Sequence, residues 1–146
     1  PSFRLDIINW FPHALLCMIL TGRSIAKGTG TGELLKTDAP ISFLGGVDPK
    51  TGIIIDKTHP LCGTSITGKV LAFPQGKGST VGSYVLYALS RNNTAPKAII
   101  NSECETIIAT GAVIAGIPAV DQLNGSLPEN GTEVTVDGTN GTVSFA

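Results

Sequence analysis

The sequence predicts an α+β domain built in three layers, and three observations support this fold class. Short β-branched runs bounded by glycine and proline occupy the first half of the chain and return at its end. Two segments with helical periodicity lie between them. The 146 residues include 18 glycines and 9 prolines, which is too many turn formers for a helical bundle. A chain of this length fits one domain.

The first half of the chain is expected to supply short strands joined by loops. Strands are predicted at residues 19–26, 33–36, 41–44, 52–56 and 66–73, with a glycine-rich loop at 27–32, a turn at 45–49 and an irregular loop at 57–64. We expect the last of these strands to lie in the core.

The second half is expected to alternate strands and helices. A first helix is predicted from a cap at Ser79 or Thr80 to about Ser90. Its apolar positions recur at helical spacing: Val81, Val85, Leu86 and Leu89. A buried strand at 98–101, a second helix at 105–115 ended by Gly116, a strand at 117–120 and a hairpin of 132–136 and 142–145 complete the domain.

The charge balance argues against two classes of partner. The net charge is −1 and only 14% of the residues are charged, so no basic surface for nucleic acid or for an anionic membrane is expected. The apolar stretch at residues 5–20 is interrupted by Asp6, Asn9, Pro12 and His13, and it is too short and too polar to span a bilayer. It also lacks the basic start and the cleavage site of a signal peptide.

The cysteines predict the compartment. Cys17, Cys62 and Cys104 form no C-x-x-C pair, and an odd number without a disulfide framework favours a reducing, cytoplasmic location. Three scattered cysteines also argue against a metal centre held by this chain alone.

Met18 is the only methionine and directly precedes the first predicted strand. We therefore expect residues 18–146 to be the domain and residues 1–17 to be an added or mis-assigned start. The alternative is a native extension that docks on the domain.

Two turns carry groups suited to ligand binding. The Gly-Lys-Gly-Ser sequence at 76–79 precedes the first helix, where backbone N–H groups, the helix dipole and Lys77 suit a phosphate or a carboxylate. It is not a P-loop, and a solvated glycine-rich turn is the alternative. In the other turn, formed by Gly45, Gly46 and Asp48, the aspartate either orients a substrate or a partner's arginine, or simply starts the turn.

Residues 57–65 contain His59, Cys62 and Ser65. A Cys–His nucleophile requires spatial contact and an orienting third group, so a small buried cysteine and a structural histidine are the favoured interpretation. Ser65 lies between Gly63 and Gly68, where the backbone can approach a ligand closely. An ordinary turn serine is the alternative.

An ordered set of short motifs runs through the chain: PISFLGGVDP at 40–49, Gly52, HPLCGTS at 59–65, GKGS at 76–79, GS at 82–83, TAP at 94–96, GIP at 116–118 and GTEVTVDG at 131–138. This set resembles the aconitase X swivel-domain family. The resemblance covers Met18 to Phe145 and leaves out residues 1–17. Each motif alone is weak, but the ordered set is specific.

The resemblance implies a swivelling β/β/α domain similar to the mobile fourth domain of aconitase. In archaea, members of the family are the small subunit of phosphomevalonate dehydratase, which pairs as a heterodimer with a large subunit that carries a [4Fe–4S] cluster. The implied activity is the dehydration of (R)-5-phosphomevalonate to trans-anhydromevalonate 5-phosphate in the archaeal mevalonate pathway. The chain would be a hydro-lyase subunit, inactive without its partner and with no cofactor of its own.

The resemblance also implies roles for individual residues. Ser65 would act as the proton acceptor, which requires a preorganised, water-poor site because a free serine hydroxyl is a very weak acid. The candidate substrate-binding residues are Gly45, Gly46, Asp48, Gly63, Lys77, Gly78 and Ser79. Bacterial members fused to the large part dehydrate hydroxyproline-type acids, so the identity of the hydroxy acid stays open.

Two other functions are consistent with the residues. A phosphoryl-carrying swivel domain needs a histidine on an exposed loop, and His59 is the candidate within residues 18–145. A non-catalytic assembly module would bind a partner without any contribution of Ser65 to turnover.

Overall fold

Strands from both ends of the chain meet in one sheet in the computed structural model, which describes residues 17–146. The elements in chain order are β1 (Met18–Thr21), β2 (Arg23–Ala26), β3 (Thr29–Lys36), β4 (Val70–Phe73), α1 (Gly82–Arg91), β5 (Ala98–Asn101), α2 (Thr106–Ala115), β6 (Ala119–Asp121), β7 (Glu133–Asp137) and β8 (Thr142–Phe145). The order across the sheet is β1-β8-β7-β3-β4-β5-β6-β2.

The sheet has a parallel half and an antiparallel half. Strands β3, β4, β5 and β6 are parallel neighbours, and α1 and α2 form the crossovers after β4 and β5. The β7–β8 hairpin pairs antiparallel with β3, β1 pairs with β8, and β2 pairs with β6. The turn of the hairpin reaches back to the start of the chain, because Gly22 N–H donates to the Gly141 carbonyl at 2.8 Å.

Two apolar clusters on opposite faces of the parallel half define the three layers. Side chains alternate along a strand, so Leu71 and Phe73 of β4 face the helices while Val70 and Ala72 face the hairpin. All four residues of β4 and all four of β5 are buried, as expected for strands covered on both faces. The predicted three-layer α+β domain is therefore confirmed.

The predicted loop at residues 27–32 is wrong, because residues 29–32 belong to β3. A Cβ atom on Gly30 would overlap the Lys97 carbonyl oxygen, and one on Gly32 would lie 2.5 Å from the Gly68 carbonyl oxygen. The glycines are needed because β3 passes directly over the backbone that leads into β4 and β5. A glycine-rich pattern that indicates a loop can also indicate such a close crossing.

Several predicted strands are shorter or absent. Residues 19–26 are divided at Gly22 into β1 and β2, and residues 66–73 form a strand only from Val70 onward because Gly68 turns the chain with φ +71°. Residues 41–44 and 52–56 contribute only isolated bridges.

The helices match the prediction except at one start. α2 begins after Glu105, whose carboxylate accepts the N–H groups of Ile107 and Ile108 at 2.9 Å, and it ends at Gly116 with φ +71°. α1 begins after Val81, which makes no side-chain cap bond, so the helix starts later than predicted, although the Ser79 Oγ accepts the N–H of Val81 at 3.1 Å. Neither of these helices is long and apolar enough to cross a membrane.

An ion pair between the exposed Arg23 and the buried Asp121 joins β2 to β6. Asp121 is fully buried, and its carboxylate accepts two hydrogen bonds from the Arg23 guanidinium, at 2.9 and 2.7 Å, and one from Cys104 N–H at 2.7 Å. Burial opposes ionisation, but these donors outweigh it and hold the pKa of Asp121 below its ordinary value.

The predicted hairpin at the end of the chain is confirmed as β7 and β8.

Candidate active site

The candidate site lies in the connecting segment, which we define as residues 37–69 between β3 and β4. This segment contains no helix and no strand of the sheet, and loops longer than roughly 12–15 residues without such elements are usually functional. It is nevertheless tied together by the bridges Val47–Ile54 and Ile53–Ser65. The segment is therefore an ordered loop whose backbone conformation is fixed by its own hydrogen bonds.

Ser65 is held by two backbone contacts and one side-chain contact. It pairs with Ile53, and the following residue, Ile66, donates its N–H to the Gly52 carbonyl at 2.8 Å. The Ser65 Oγ accepts the N–H of Thr67 at 3.2 Å. The side chain is partly exposed. Its oxygen thus receives a backbone donor while remaining accessible from solvent.

Gly63 and Asp48, two further candidates, lie in the same ladder of contacts. Gly63 N–H donates to the Ile54 carbonyl at 2.7 Å, and Gly63 has φ +88°. Asp48 N–H donates to the Ile53 carbonyl, while the Asp48 carboxylate accepts Lys50 N–H at 2.9 Å. These bonds fit the interpretation of Asp48 as a turn starter and leave its second carboxylate oxygen without a partner in the part of the chain described.

The other candidates form a second group where the connecting segment meets the start of α1. Lys77 N–H donates to the Ile41 carbonyl at 3.0 Å, and a Cβ on Gly78 would lie 2.6 Å from the Ser42 Oγ. Gly46 is equally tight, since a Cβ there would overlap the Ser42 carbonyl oxygen. Gly45 has φ +79° and open space around it. Only glycine fits where these two turns cross.

The anion-binding turn at 76–79 is arranged differently from the prediction. The first N–H groups of α1 are already used: Val81 donates to the Ser79 Oγ at 3.1 Å, and Gly82 donates to the Ser79 carbonyl at 3.0 Å. Within residues 17–146, the N–H groups of Gly78, Ser79 and Thr80 have no hydrogen-bond acceptor. An anion at this turn would therefore meet these three donors and Lys77 rather than the end of the helix.

The two groups are separated by a short extended stretch. Ser65 pairs with Ile53, whereas Gly46 accepts the N–H of Ile55 at 2.9 Å. Residues 53 and 55 are at most about 7 Å apart along an extended backbone. The first group contains Ser65, Gly63 and Asp48, and the Lys77 group contains Lys77 with the neighbouring turns. Among the residues described, no side-chain hydrogen bond joins these two groups.

His59 and Cys62 do not form the arrangement of a Cys–His nucleophile. His59 is 7% exposed, and its Nδ1 accepts the N–H of Leu61 at 3.0 Å. Cys62 is exposed, so its predicted burial is wrong, while the predicted structural role of His59 fits its position. The phosphoryl-carrier hypothesis required His59 on an exposed loop, so the burial of the His59 ring contradicts it.

The comparison with protein families decides the identity of the fold. The model of the family described as "Aconitase X swivel domain" matches residues 19–145. This chain belongs to the aconitase X swivel-domain family.

Named relatives in the family agree with this assignment. The chain is 58% identical over 126 residues to the phosphomevalonate dehydratase small subunit of Thermococcus onnurineus, covering 86% of this chain and 97% of the relative. It is 55% identical over 129 residues to the protein of the same name from Methanosarcina acetivorans, covering 86% and 90%. The crystal structure of Thermococcus kodakaraensis aconitase X (holo-form) superposes with a TM-score of 0.85 at 53% identity, covering 88% of this chain and 98% of that chain.

The cysteines of this family member do not gather into a cluster site in the region described. Cys17, Cys62 and Cys104 are free thiols, and no group of three or more histidine, cysteine or acidic side chains in residues 17–146 could hold a metal ion. The Cys104 thiol is half-buried, and burial, together with Asp121 and Glu105, raises its pKa to about 12. The Cys104 thiol is therefore protonated, and the residues described do not fit an iron–sulfur cluster.

Sequence reasoning missed Asp56, which lies beside Gly46. Its carboxylate accepts the hydroxyl of Thr58 at 2.7 Å and the N–H of Thr58 at 2.9 Å, and these bonds lower its pKa, with a smaller contribution from Lys77. Asp56 N–H also points to the Gly46 carbonyl at 3.4 Å. The Asp-x-Thr spacing, which is typical of an aspartate turn, was the available signal.

Proposed function

We propose that this chain is the small subunit of a hydro-lyase that dehydrates (R)-5-phosphomevalonate to trans-anhydromevalonate 5-phosphate, with Ser65 as the proton acceptor. Membership of the aconitase X swivel-domain family and more than half identity to two archaeal small subunits of that name support the enzyme class. The role of Ser65 and the substrate are our own inference.

The observation that carries the proposal is the environment of the Ser65 hydroxyl. A serine that removes a proton needs an oxygen whose ionised form is favoured, and a hydrogen bond donated to that oxygen acts in this direction. Thr67 N–H makes this bond at 3.2 Å, and the hydroxyl proton of Ser65 is not donated to any acceptor among the residues described. The partly exposed oxygen can therefore meet a substrate from the solvent side.

The Lys77 group suits the anionic part of the substrate. A phosphorylated hydroxy acid carries a phosphate and a carboxylate, and both prefer a cation combined with unpaired backbone N–H groups. Lys77 is exposed, and the neighbouring N–H groups of residues 78–80 have no acceptor within the described chain. We propose that Lys77, Gly78 and Ser79 bind one of these anions, and that Gly45, Gly46, Asp48 and Gly63 shape the rest of the pocket.

The site is incomplete in this chain, because Lys77 is assigned to the anion and Ser65 to the proton, which leaves no assigned group to assist the departure of the leaving hydroxyl. We propose that a large aconitase-X-type subunit covers the connecting segment and completes the pocket. A [4Fe–4S] cluster held by that subunit would supply a Lewis acid to the leaving hydroxyl. The residues of this chain then bind the anion, hold Ser65 and exclude water from its oxygen when the partner closes over it.

Reconstitution tests the proposal. The chain is purified alone and together with the large subunit encoded in the same genome, and each preparation is incubated with (R)-5-phosphomevalonate while the unsaturated product is measured by mass spectrometry. We expect turnover only when both chains are present. A chain that is fully competent alone, or a pair that dehydrates another hydroxy acid but not phosphomevalonate, contradicts the proposal.

A further inference from the structure

A recurring turn in this chain draws attention to His59. At several positions a side-chain oxygen accepts the N–H of the residue two further on, as in Asp48 with Lys50, Asp56 with Thr58 and Ser79 with Val81. Such turns are made by short oxygen-bearing side chains. At His59 the same bond is made by a ring nitrogen, because Nδ1 accepts Leu61 N–H at 3.0 Å.

This ring nitrogen lies at the start of the turns that lead to Ser65. His59 N–H donates to the Asp56 carbonyl at 3.0 Å, and the His59 carbonyl accepts Cys62 N–H at 3.1 Å. Thr64 N–H then donates to the Leu61 carbonyl at 2.9 Å. The His59 Nδ1 therefore fixes the first turn of a continuous series of backbone bonds that ends one residue before Ser65.

The chemistry of the position explains why a neutral nitrogen acceptor is used. A nitrogen that accepts Leu61 N–H carries no proton, so the ring is neutral and its proton is on Nε2. An aspartate could make the same turn, but it would place a second carboxylate next to Asp56. The Nε2 atom is buried and has no hydrogen-bond partner in residues 17–146, so every side-chain hydrogen bond of this residue within that range passes through Nδ1.

We propose that His59 is a positioning residue for Ser65, acting through the Nδ1 bond to Leu61 rather than by touching the substrate. This inference rests on the proposed role of Ser65. If the turn relaxes, the Ser65 oxygen moves away from the carbon whose proton it removes, and a displacement of about 1 Å can cost about 100-fold in rate.

Two variants separate the two ring nitrogens. The amide oxygen of His59→Asn lies where Nδ1 lies and can accept Leu61 N–H, whereas the longer amide of His59→Gln occupies the Nε2 position and leaves Leu61 N–H unpaired. Both are assayed as the complex with the large subunit, together with thermal denaturation of the complex. We expect His59→Asn to retain at least about one third of kcat, and His59→Gln to lose about 10- to 100-fold in kcat with KM changed less than about threefold.

The variant Ser65→Ala distinguishes a failure of this inference from a failure of the proposed function. If Ser65→Ala is fully active, the role of Ser65 is wrong. If Ser65→Ala is inactive but both His59 variants lose kcat equally, or Gln retains more than Asn, the positioning role of Nδ1 is wrong. In the Ser65→Ala background, His59→Gln should cause no further loss of residual turnover. Should the Gln variant fail to fold, His59→Asn decides alone: a loss above about 10-fold, or failure to fold, overturns the inference.

Discussion

The sheet and the connecting segment at residues 37–69 obtain their order in opposite ways. Strands β4 and β5 are buried on both faces and pair continuously with their neighbours. The connecting segment has only isolated bridges, and its turns are closed by backbone hydrogen bonds together with single side chains. The comparison teaches that the continuously paired, buried backbone lies in the sheet, while the candidate site residues lie in the segment and in the turn that follows β4.

This division predicts that changes in the sheet lower the stability without changing the chemistry of the folded protein. Changes in the connecting segment or in the turn at 76–79 should do the reverse. Each variant below tests one side of that separation.

The largest effect on stability is expected from Gly30→Ala. The new Cβ would overlap the Lys97 carbonyl oxygen, so β3 must move away from the backbone that precedes β5, at a cost of about 3 kcal/mol in the free energy of unfolding. Denaturant-induced unfolding measures this loss of stability. The control is Gly82→Ala, whose Cβ would meet its nearest atom at 3.5 Å and should leave stability equal or higher. Equal stability of the two variants would contradict the close crossing of β3.

A smaller loss is expected from Asp121→Asn. The carboxylate of Asp121 accepts three hydrogen bonds, two from Arg23 and one from Cys104 N–H, whereas an asparagine amide has one acceptor oxygen and an NH2 group that can only donate. About 2 kcal/mol of the free energy of unfolding should therefore be lost at neutral pH. The pKa of Asp121 is lowered in the folded state, so its contribution is complete above the unfolded value of about 4 and fades as the pH falls through the lower folded value.

Unfolding curves between pH 7 and pH 3 check both statements. The difference in free energy of unfolding between the wild-type protein and Asp121→Asn should shrink only at the acidic end. The control Asp38→Asn, at an exposed position, should have the same free energy of unfolding as the wild-type protein. A gap between wild type and Asp121→Asn that grows on acidification would contradict the ionised, Arg23-paired state.

The smallest effect is expected from Lys77→Ala. Loss of the exposed cation should raise KM about 10-fold, equivalent to about 1.4 kcal/mol of binding free energy, and should leave the melting temperature unchanged. Lys97→Ala is the matched control, because Lys97 is equally exposed but precedes β5 at the opposite end of the parallel strands. A KM that rises equally in both variants, or in neither, would remove Lys77 from the pocket.

Periodicity predicted the elements that bury a regular face. The β5 strand, α2 with its glycine end and the β7–β8 hairpin were all placed within about two residues, because local side-chain pattern and long-range packing agree there. The connecting segment was not predictable in the same way. Its runs at 41–44 and 52–56 have strand composition, but they form only isolated bridges, Ile41 with Gly76 and Ile53 with Ser65, because no neighbouring strand continues the ladder.

The candidate site was predicted by motif order rather than by local pattern. Nothing in the spacing of Gly46 and Gly78 indicates that their turns cross at Ser42, because that contact joins residues more than thirty positions apart. The approach of Asp56 to Gly46 was missed for the same reason, although its Asp-x-Thr turn is a local signal. The structural role of His59 was predicted, but its burial depends on the whole fold. The roles of Ser65 and Lys77 and the status of residues 1–17, of which only residue 17 lies in the described range, stay predictions.

The measurement that tests the account most directly is turnover of the complex carrying Ser65→Ala, with Ser126→Ala, an exposed serine outside the connecting segment, as the control. We predict that both variants bind the large subunit, that Ser126→Ala retains wild-type turnover, and that Ser65→Ala loses at least about 1,000-fold in kcat while still binding substrate. A Ser65→Ala complex that retains one third or more of wild-type kcat would contradict the assignment of the base.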